Sequence, residues 1–182
     1  MLMLRYMKKS LLVVFALLLT TTSTINAQKM KMELTGSLKE MAQAGRARIE
    51  VDYSEAMIHG MSEDEFGVYE PDYFVDKDVI EGKFLGMLAD GIGDFLVGTK
   101  VKSDYLISVK VIQVNPKGNH VCDVFIIRDN GSGEPETLAT IKTVKADGGT
   151  FGTKLNLMKD GAEHTGYLIG KYLRAKIKKE LK

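Results

Sequence analysis

Apolar and polar residues alternate in the stretch RARIEVDYS, which predicts the first strand of the chain. Ile49, Val51 and Tyr53 fall on one side of it, while Arg48 and Glu50 fall on the other. Successive side chains of a strand point to opposite faces, so this pattern is typical of a strand with one buried face.

Three further strands are predicted in the second half of the chain: DYLISVKVIQV, HVCDVFIIRD and TLATIKTVKA. The short turns NPKGN and NGSGEP separate them, which favours an antiparallel meander. The middle strand is apolar on both faces between Val124 and Ile127, so we expect it to be central in the sheet.

A first long helix is predicted after Pro71 and is expected to end at Gly98. Its apolar residues recur at steps of three and four: Ile80, Phe84, Leu88, Ile92 and Phe95. Before it, Ser62 followed by Glu65 has the spacing of a capping box, which predicts a short helical turn.

A second long helix is predicted from Lys159 to Leu181, with one buried face: Ala162, Ile169, Leu173 and Ile177. Both long helices carry glycines beside their apolar faces, at positions 82, 86 and 93 in the first and 166 and 170 in the second. We therefore expect the two helices to approach each other closely. The alternative is that glycines, which disfavour helix, break the first segment into shorter helices.

The order of elements is β-α-β-β-β-α. It predicts an α/β (α+β, two-layer) fold, with a four-stranded, mostly antiparallel sheet and the two long helices packed on one face. Residues 28–182 are expected to form this single domain.

The first 27 residues are predicted to be a signal peptide. Arg5, Lys8 and Lys9 precede an apolar core from Leu11 to Leu19, and the small residue Ala27 follows. That core is shorter than the ~20 residues that span a bilayer, so we expect cleavage after Ala27 rather than a membrane anchor.

Cysteine content and net charge exclude several classes of protein. Cys122 is the only cysteine, which rules out both an internal disulfide and a lipidated cysteine after the signal. Without the three cations of the signal, 22 basic and 24 acidic residues are left, so a globally basic nucleic-acid binder is not expected.

Charge is unevenly distributed along the chain. Residues 50–90 hold twelve acidic and two basic residues, whereas residues 171–182 hold six basic residues and one acidic residue. The basic stripe on the last helix is Lys171, Arg174, Lys178 and Lys182. Each charged segment is either a solvated face or a contact surface for a partner of opposite charge.

Candidate catalytic and metal-binding groups are few. His120 and Cys122 would lie on the same face of one strand, but their axial spacing of about 6.6 Å is loose for a nucleophile and its base. We expect Cys122 to be buried and inert. His59, Glu63, Asp64 and Glu65 form a weak candidate cation site, which an acidic helix start also explains.

The glycine-rich stretch GGTFGTKLNLMKDG lies between the last strand and the last helix, as phosphate-binding loops do. A P-loop requires G-x-x-x-x-G-K-[ST], but here Lys154 is one position late and Leu155 replaces the hydroxyl residue. We therefore interpret the stretch as a connection that crosses the sheet edge. Phe151 is expected to be its buried anchor, and Lys154 to contribute little.

The motifs RIEVDYSEAMIHGMSEDEF, GGTFG and LIGKYLRAKIKKEL resemble an uncharacterised family of secreted proteins of Bacteroidetes. More loosely, the order of elements is similar to the TolB amino-terminal domain and to the curli-secretion lipoprotein, which implies a non-enzymatic role in the cell envelope. Those lipoproteins carry a lipidated cysteine after the signal, where this chain has Gln28. We therefore expect no stable membrane anchor.

These observations predict an exported, periplasmic or secreted domain that binds a protein or another envelope component. We expect it to have no catalytic residues, no cofactor, no metal site and no nucleic-acid partner. One alternative is a small-molecule or divalent-cation binding protein that uses the acidic segment 50–90. A less favoured alternative is a hydrolase that uses Cys122 or a pair of acidic residues.

Overall fold

The computed structural model describes residues 32–131 and 133–182, so the expected signal peptide and its cleavage site lie outside the described residues. The strands are β1 (Leu34–Gly36), β2 (Arg46–Asp52), β3 (Met57–Ile58), β4 (Leu96–Gly98), β5 (Tyr105–Val114), β6 (His120–Arg128) and β7 (Glu136–Ala146). The helices are α1 (Lys39–Ala44), α2 (Glu63–Tyr69), α3 (Tyr73–Ile92) and α4 (Lys154–Glu180).

One mixed sheet of seven strands, in the order β1-β7-β6-β5-β2-β4 with β3 beside β5, forms the first layer. The predicted meander is confirmed, since β6 pairs antiparallel with both β5 and β7 and is central. The α+β class is also confirmed, but the predicted number of four strands is wrong, and the sheet is mixed. β2 pairs parallel with β4 and β5, and the strands that were missed have only two or three residues, too few for a period to be recognised.

The core lies between one face of the sheet and the two long helices. Ala47 and Ile49 of β2 and Ile107 and Val109 of β5 are buried on that face, and alternate residues of β6 and β7 continue the layer. The predicted strand at RARIEVDYS is confirmed by this alternation, and Tyr53 just beyond it is also buried.

Helices α3 and α4 lie side by side and run in the same direction. Three ion pairs join them in order along their lengths: Lys159 with Asp76, Lys83 with Glu163, and Arg174 with Asp94 just after α3. The buried faces predicted for both helices are confirmed, from Ile80 to Ile92 and from Ala162 to Ile177.

The close approach of the two helices depends on glycines, as expected, but only partly on the predicted ones. A Cβ at Gly166 would overlap the carbonyl oxygen of Phe84, and one at Gly170 would lie 2.8 Å from the backbone nitrogen of Ile92. On α3 the contact is made by Gly91, where a Cβ would lie 2.6 Å from the Tyr167 carbonyl oxygen.

Gly82 and Gly86 of α3, which were predicted to form this contact, face open space instead. The helix continues through both of them, so the alternative of a broken segment is wrong as well. The helix ends earlier than Gly98, because Gly93 adopts a φ of 73°, a conformation that favours glycine. The chain then enters β4.

A matched pair of glycine substitutions tests the helix–helix contact. Gly170→Ala should lower the free energy of unfolding by about 1–3 kcal/mol, because the new methyl group forces the two backbones apart. Gly86→Ala should leave stability unchanged or raise it by up to about 1 kcal/mol, because alanine favours helix at this open position. Urea unfolding of both variants gives the comparison. Equal midpoints would contradict a backbone contact at Gly170.

Candidate functional site

The glycine-rich connection is shorter than the sequence predicted. Helix α4 begins at Lys154, five residues earlier than expected, and the Thr153 hydroxyl accepts a hydrogen bond from the Asn156 backbone N–H (3.3 Å). Leu155 and Met158 are buried in the first turns of this helix. The connection from β7 therefore consists of residues 147–153 only.

Phe151 is not the anchor of this connection, contrary to the prediction. Its side chain is 89% exposed. The glycines hold the loop instead: the backbone N–H of Gly148 donates to the Asn119 side chain (2.8 Å), and a Cβ at Gly148 would lie 2.8 Å from the Asn119 backbone nitrogen. Leu155, the second residue of α4, is buried in the core instead of Phe151.

Lys154 lies at the start of α4, and its side chain contacts the end of helix α2. It does not line an open phosphate-binding loop. Its ammonium group donates to the Tyr69 hydroxyl (2.6 Å), lies 3.6 Å from a Glu70 carboxylate oxygen and stands over the Tyr69 ring. The hydrogen bond with Tyr69 and the charge of Glu70 raise the pKa of Lys154. This residue thus ties the loop end of α4 to the end of α2.

His120 is paired with Tyr53 inside the core and not with Cys122. The two ring nitrogens of His120 are both engaged: Nδ1 donates to the Gly118 carbonyl oxygen (2.8 Å), and Nε2 accepts from the Tyr53 hydroxyl (3.0 Å). Burial lowers the pKa of His120 to about 4, so the ring is neutral at physiological pH. The pair satisfies two buried polar side chains and is not open to a substrate.

Cys122 is fully buried, which confirms the sequence prediction of a buried cysteine. Burial raises the pKa of its thiol well above the usual range, and the charge of Asp123 adds to this effect. A protonated, inaccessible thiol is a poor nucleophile, because the thiolate is the reactive form.

The acidic segment does not converge on one point. Glu63 accepts from the Tyr73 hydroxyl and pairs with Lys77, each at 2.7 Å. Glu65 forms the predicted capping box with Ser62. Within the described residues, no group of three or more His, Cys, Asp or Glu side chains is placed to hold a metal ion.

Exposed apolar residues that the sequence motifs did not single out lie at the end of α2 and in the first half of α3. Five large apolar residues between positions 68 and 79 are exposed, and we call them the α2–α3 patch: Val68, Tyr69, Phe74, Val75 and Val79. Val68 and Val75 are 83% and 78% exposed. A signal was present, since Val75 and Val79 are four residues apart and fall outside the buried stripe that contains Ile80 and Phe84.

Packing and polar contacts beneath the α2–α3 patch hold its residues in place. The Phe74 ring lies against Gly67 of α2, where a Cβ would overlap it. Beneath the patch, Phe66 and Tyr73 are buried, with ring centroids 5.1 Å apart in an edge-on arrangement. The hydrogen bond from Tyr73 to Glu63 and the ion pair of Glu63 with Lys77 hold α2 against α3.

The surroundings of the patch are acidic. Asp64, Asp72 and Asp78 are exposed, and none of them forms an ion pair with any residue in the described ranges. By contrast, Glu70 and Asp76 in the same region are matched by Lys154 and Lys159 of α4. The patch is therefore an apolar surface with unmatched negative charge around it.

Comparisons with known proteins do not indicate a function for the chain. No protein-family model, curated protein or solved structure matches the chain significantly. The resemblance of the sequence motifs to secreted Bacteroidetes proteins and to TolB-like envelope domains stays a prediction. Among the helices of the described residues, none combines the length and apolar character needed to cross a membrane.

The buried His120 should make stability depend on pH. Its pKa is about 4 in the folded protein, against about 6.5 in an unfolded chain, so the unfolded state binds more protons between these values. The free energy of unfolding should therefore fall as the pH drops, by about 2 kcal/mol from pH 7 to pH 5. Urea unfolding at several pH values measures this slope.

Two variants separate His120 from the other titrating groups. His120→Gln should flatten the slope between pH 7 and pH 5, and His164→Gln, at an exposed position, should keep it. In the wild-type protein the imidazole signals of His120 in NMR spectra should not shift over this range. Parallel slopes for all three proteins, or a titration of His120 near pH 6.5, would contradict the neutral buried ring.

Proposed function

We propose that the protein is an exported, non-catalytic domain of the periplasm or cell envelope, and that its α2–α3 patch binds a protein partner. The observation that carries the proposal is the concentration of five exposed large apolar side chains between residues 68 and 79. Single exposed apolar residues are normal on a protein surface, but a cluster with a polar rim is typical of an interaction site.

The chemistry of the patch supports a macromolecular partner. Tyr69 and Phe74 are of the residue types that are enriched in protein interfaces, and Val75 and Val79 extend the apolar area along the next turn of α3. The residues of the patch lie on helices, and the apolar face of a helix commonly binds in a groove of a protein partner. The buried Phe66 and Tyr73 beneath it reduce the ordering that binding would require.

The acidic surroundings indicate the charge of the partner. Asp64, Asp72 and Asp78 are exposed around the patch and are not neutralised by the lysines of α4. A partner with an apolar groove and lysine or arginine side chains at its rim would complement this arrangement. Charges at such a rim act mainly on the rate of association and on specificity.

Export rests on the signal peptide predicted from the sequence. Absence of a catalytic centre is supported by the environments of the two candidate groups, because Cys122 is buried and His120 is held between Tyr53 and Gly118. The predicted resemblance of the motifs to secreted Bacteroidetes proteins agrees with export only, since that family has no assigned activity.

Substitution within the patch tests the proposal. The wild-type protein and the double variant Val75→Ser, Val79→Ser should be used as baits in an envelope extract, with quantitative mass spectrometry of the captured proteins. We expect the variant to lose at least one protein that the wild type enriches. Its free energy of unfolding should stay within about 0.5 kcal/mol of that of the wild type, since both side chains are exposed.

Tyr167→Ser provides a matched control, because Tyr167 is exposed on the other long helix, outside the patch. This variant should capture the same partner as the wild type. Capture should also weaken with added salt if basic groups of the partner face Asp72 and Asp78. Equal capture by all three proteins would show that the patch is not the binding surface.

A further inference from the structure

A cavity of about 230 Å³ lies at the end of the two long helices that is opposite to the α2–α3 patch. It is half open to solvent and is bordered by the end of α1, the segment that follows α3, and the last turns of α4. Helix α3 has 20 residues, which corresponds to a length of about 30 Å. The cavity and the patch are therefore separate sites.

The inner wall of the cavity is apolar. Ala42, Ile92 and Ile177 are buried and form its base, and the half-buried Phe95 forms one side. Leu181 lies at the rim, with 58% of its side chain exposed. Apolar groups bind in such a space because its walls offer few hydrogen-bonding partners to water.

Two cations, Arg174 and Lys178, lie at the mouth. Within the described residues Arg174 pairs with Asp94 at 3.8 Å, but the Asp94 side chain is 95% exposed. Ion pairs of this kind contribute little, so the guanidinium group can exchange Asp94 for another anion at small cost. Residues 171–182 as a whole carry six basic residues and one acidic residue, which favours an anion at this end.

We propose that this cavity binds a free medium-chain fatty acid. Its alkyl chain occupies the space between Ile92 and Ile177, and its carboxylate lies at Arg174 and Lys178. The volume is below the roughly 300–1,000 Å³ of sites for drug-sized ligands, which suits a single chain better than a ring system. The proposal is independent of the partner proposed for the α2–α3 patch.

Calorimetric titration with hexanoate, octanoate and decanoate tests the apolar wall. Each added methylene that enters the cavity should tighten binding about fourfold, until the cavity is full. The methyl signals of Ile92 and Ile177 in NMR spectra should shift on addition of octanoate, while those of residues near the α2–α3 patch stay in place. The neutral 1-octanol should bind more weakly than octanoate.

Three variants test which residues bind the carboxylate of the ligand and which bind its alkyl chain. Arg174→Gln should weaken octanoate about two- to fivefold and leave 1-octanol unchanged. Leu181→Ser should weaken both ligands, and its exposed position makes a folding defect unexpected. Lys171→Gln, an exposed cation of the same helix that does not line the cavity, should bind both as the wild type does.

Several results would overturn the proposal. One is a dissociation constant above about 1 mM for both octanoate and decanoate, because such an affinity is too weak for a specific site. Others are an affinity that does not depend on chain length, and octanoate affinities of Arg174→Gln and Leu181→Ser equal to that of the wild type. Sedimentation with phosphatidylglycerol vesicles, without any response to free fatty acid, would indicate a membrane contact instead.

Discussion

The backbone contact between helices α3 and α4 is the constraint on which the rest of the structure depends. Gly91, Gly166 and Gly170 allow the two helices to lie closer than side chains would permit, so together they fit over one face of the sheet. The order of the ion pairs Asp76–Lys159 and Lys83–Glu163 along the two helices matches this parallel register. Both helices must then begin at the same end of the molecule and end together at the other.

This shared direction creates two different ends. At the first end, the glycine-rich loop, the turn at residues 115–119 and helix α2 are brought together around the starts of α3 and α4. At the other end, the last turns of both helices leave the cavity beside α1. The α2–α3 patch and the cavity are thus both results of how the two long helices are aligned.

Much of the fold was predictable from residue patterns, because the long elements have clear periods. The meander of β5, β6 and β7 and the buried faces of α3 and α4 followed from alternation and from three- and four-residue spacing. Strands β3 and β4 have only two and three residues. Because pairing with longer neighbouring strands stabilises them, their own sequence shows no recognisable alternation. Phe151 shows the same limit, since an aromatic residue among glycines does not reveal whether a neighbour such as Leu155 already fills the core.

The candidate site was harder to predict than the fold. The close contact at Gly91 was missed and Gly86 was assigned to it wrongly, because composition alone does not tell which side of a helix meets a neighbour. The α2–α3 patch could have been inferred from Val75 and Val79, which do not fit the buried stripe. The cavity could not, because Ala42, Phe95 and Leu181 come from three distant parts of the sequence and meet only in the folded chain.

The parallel alignment of α3 and α4 also gives the molecule an electrical polarity. Asp72 lies where α3 begins, and Lys178 and Lys179 lie where α4 ends, so these charges interact favourably with the partial charges of the nearby helix termini. The uneven charge of the sequence becomes a separation of charge along the direction of the two helices, of which α3 alone is about 30 Å long. Near a charged surface such a molecule does not approach in random orientation: a negatively charged surface attracts the cavity end and turns the α2–α3 patch outward.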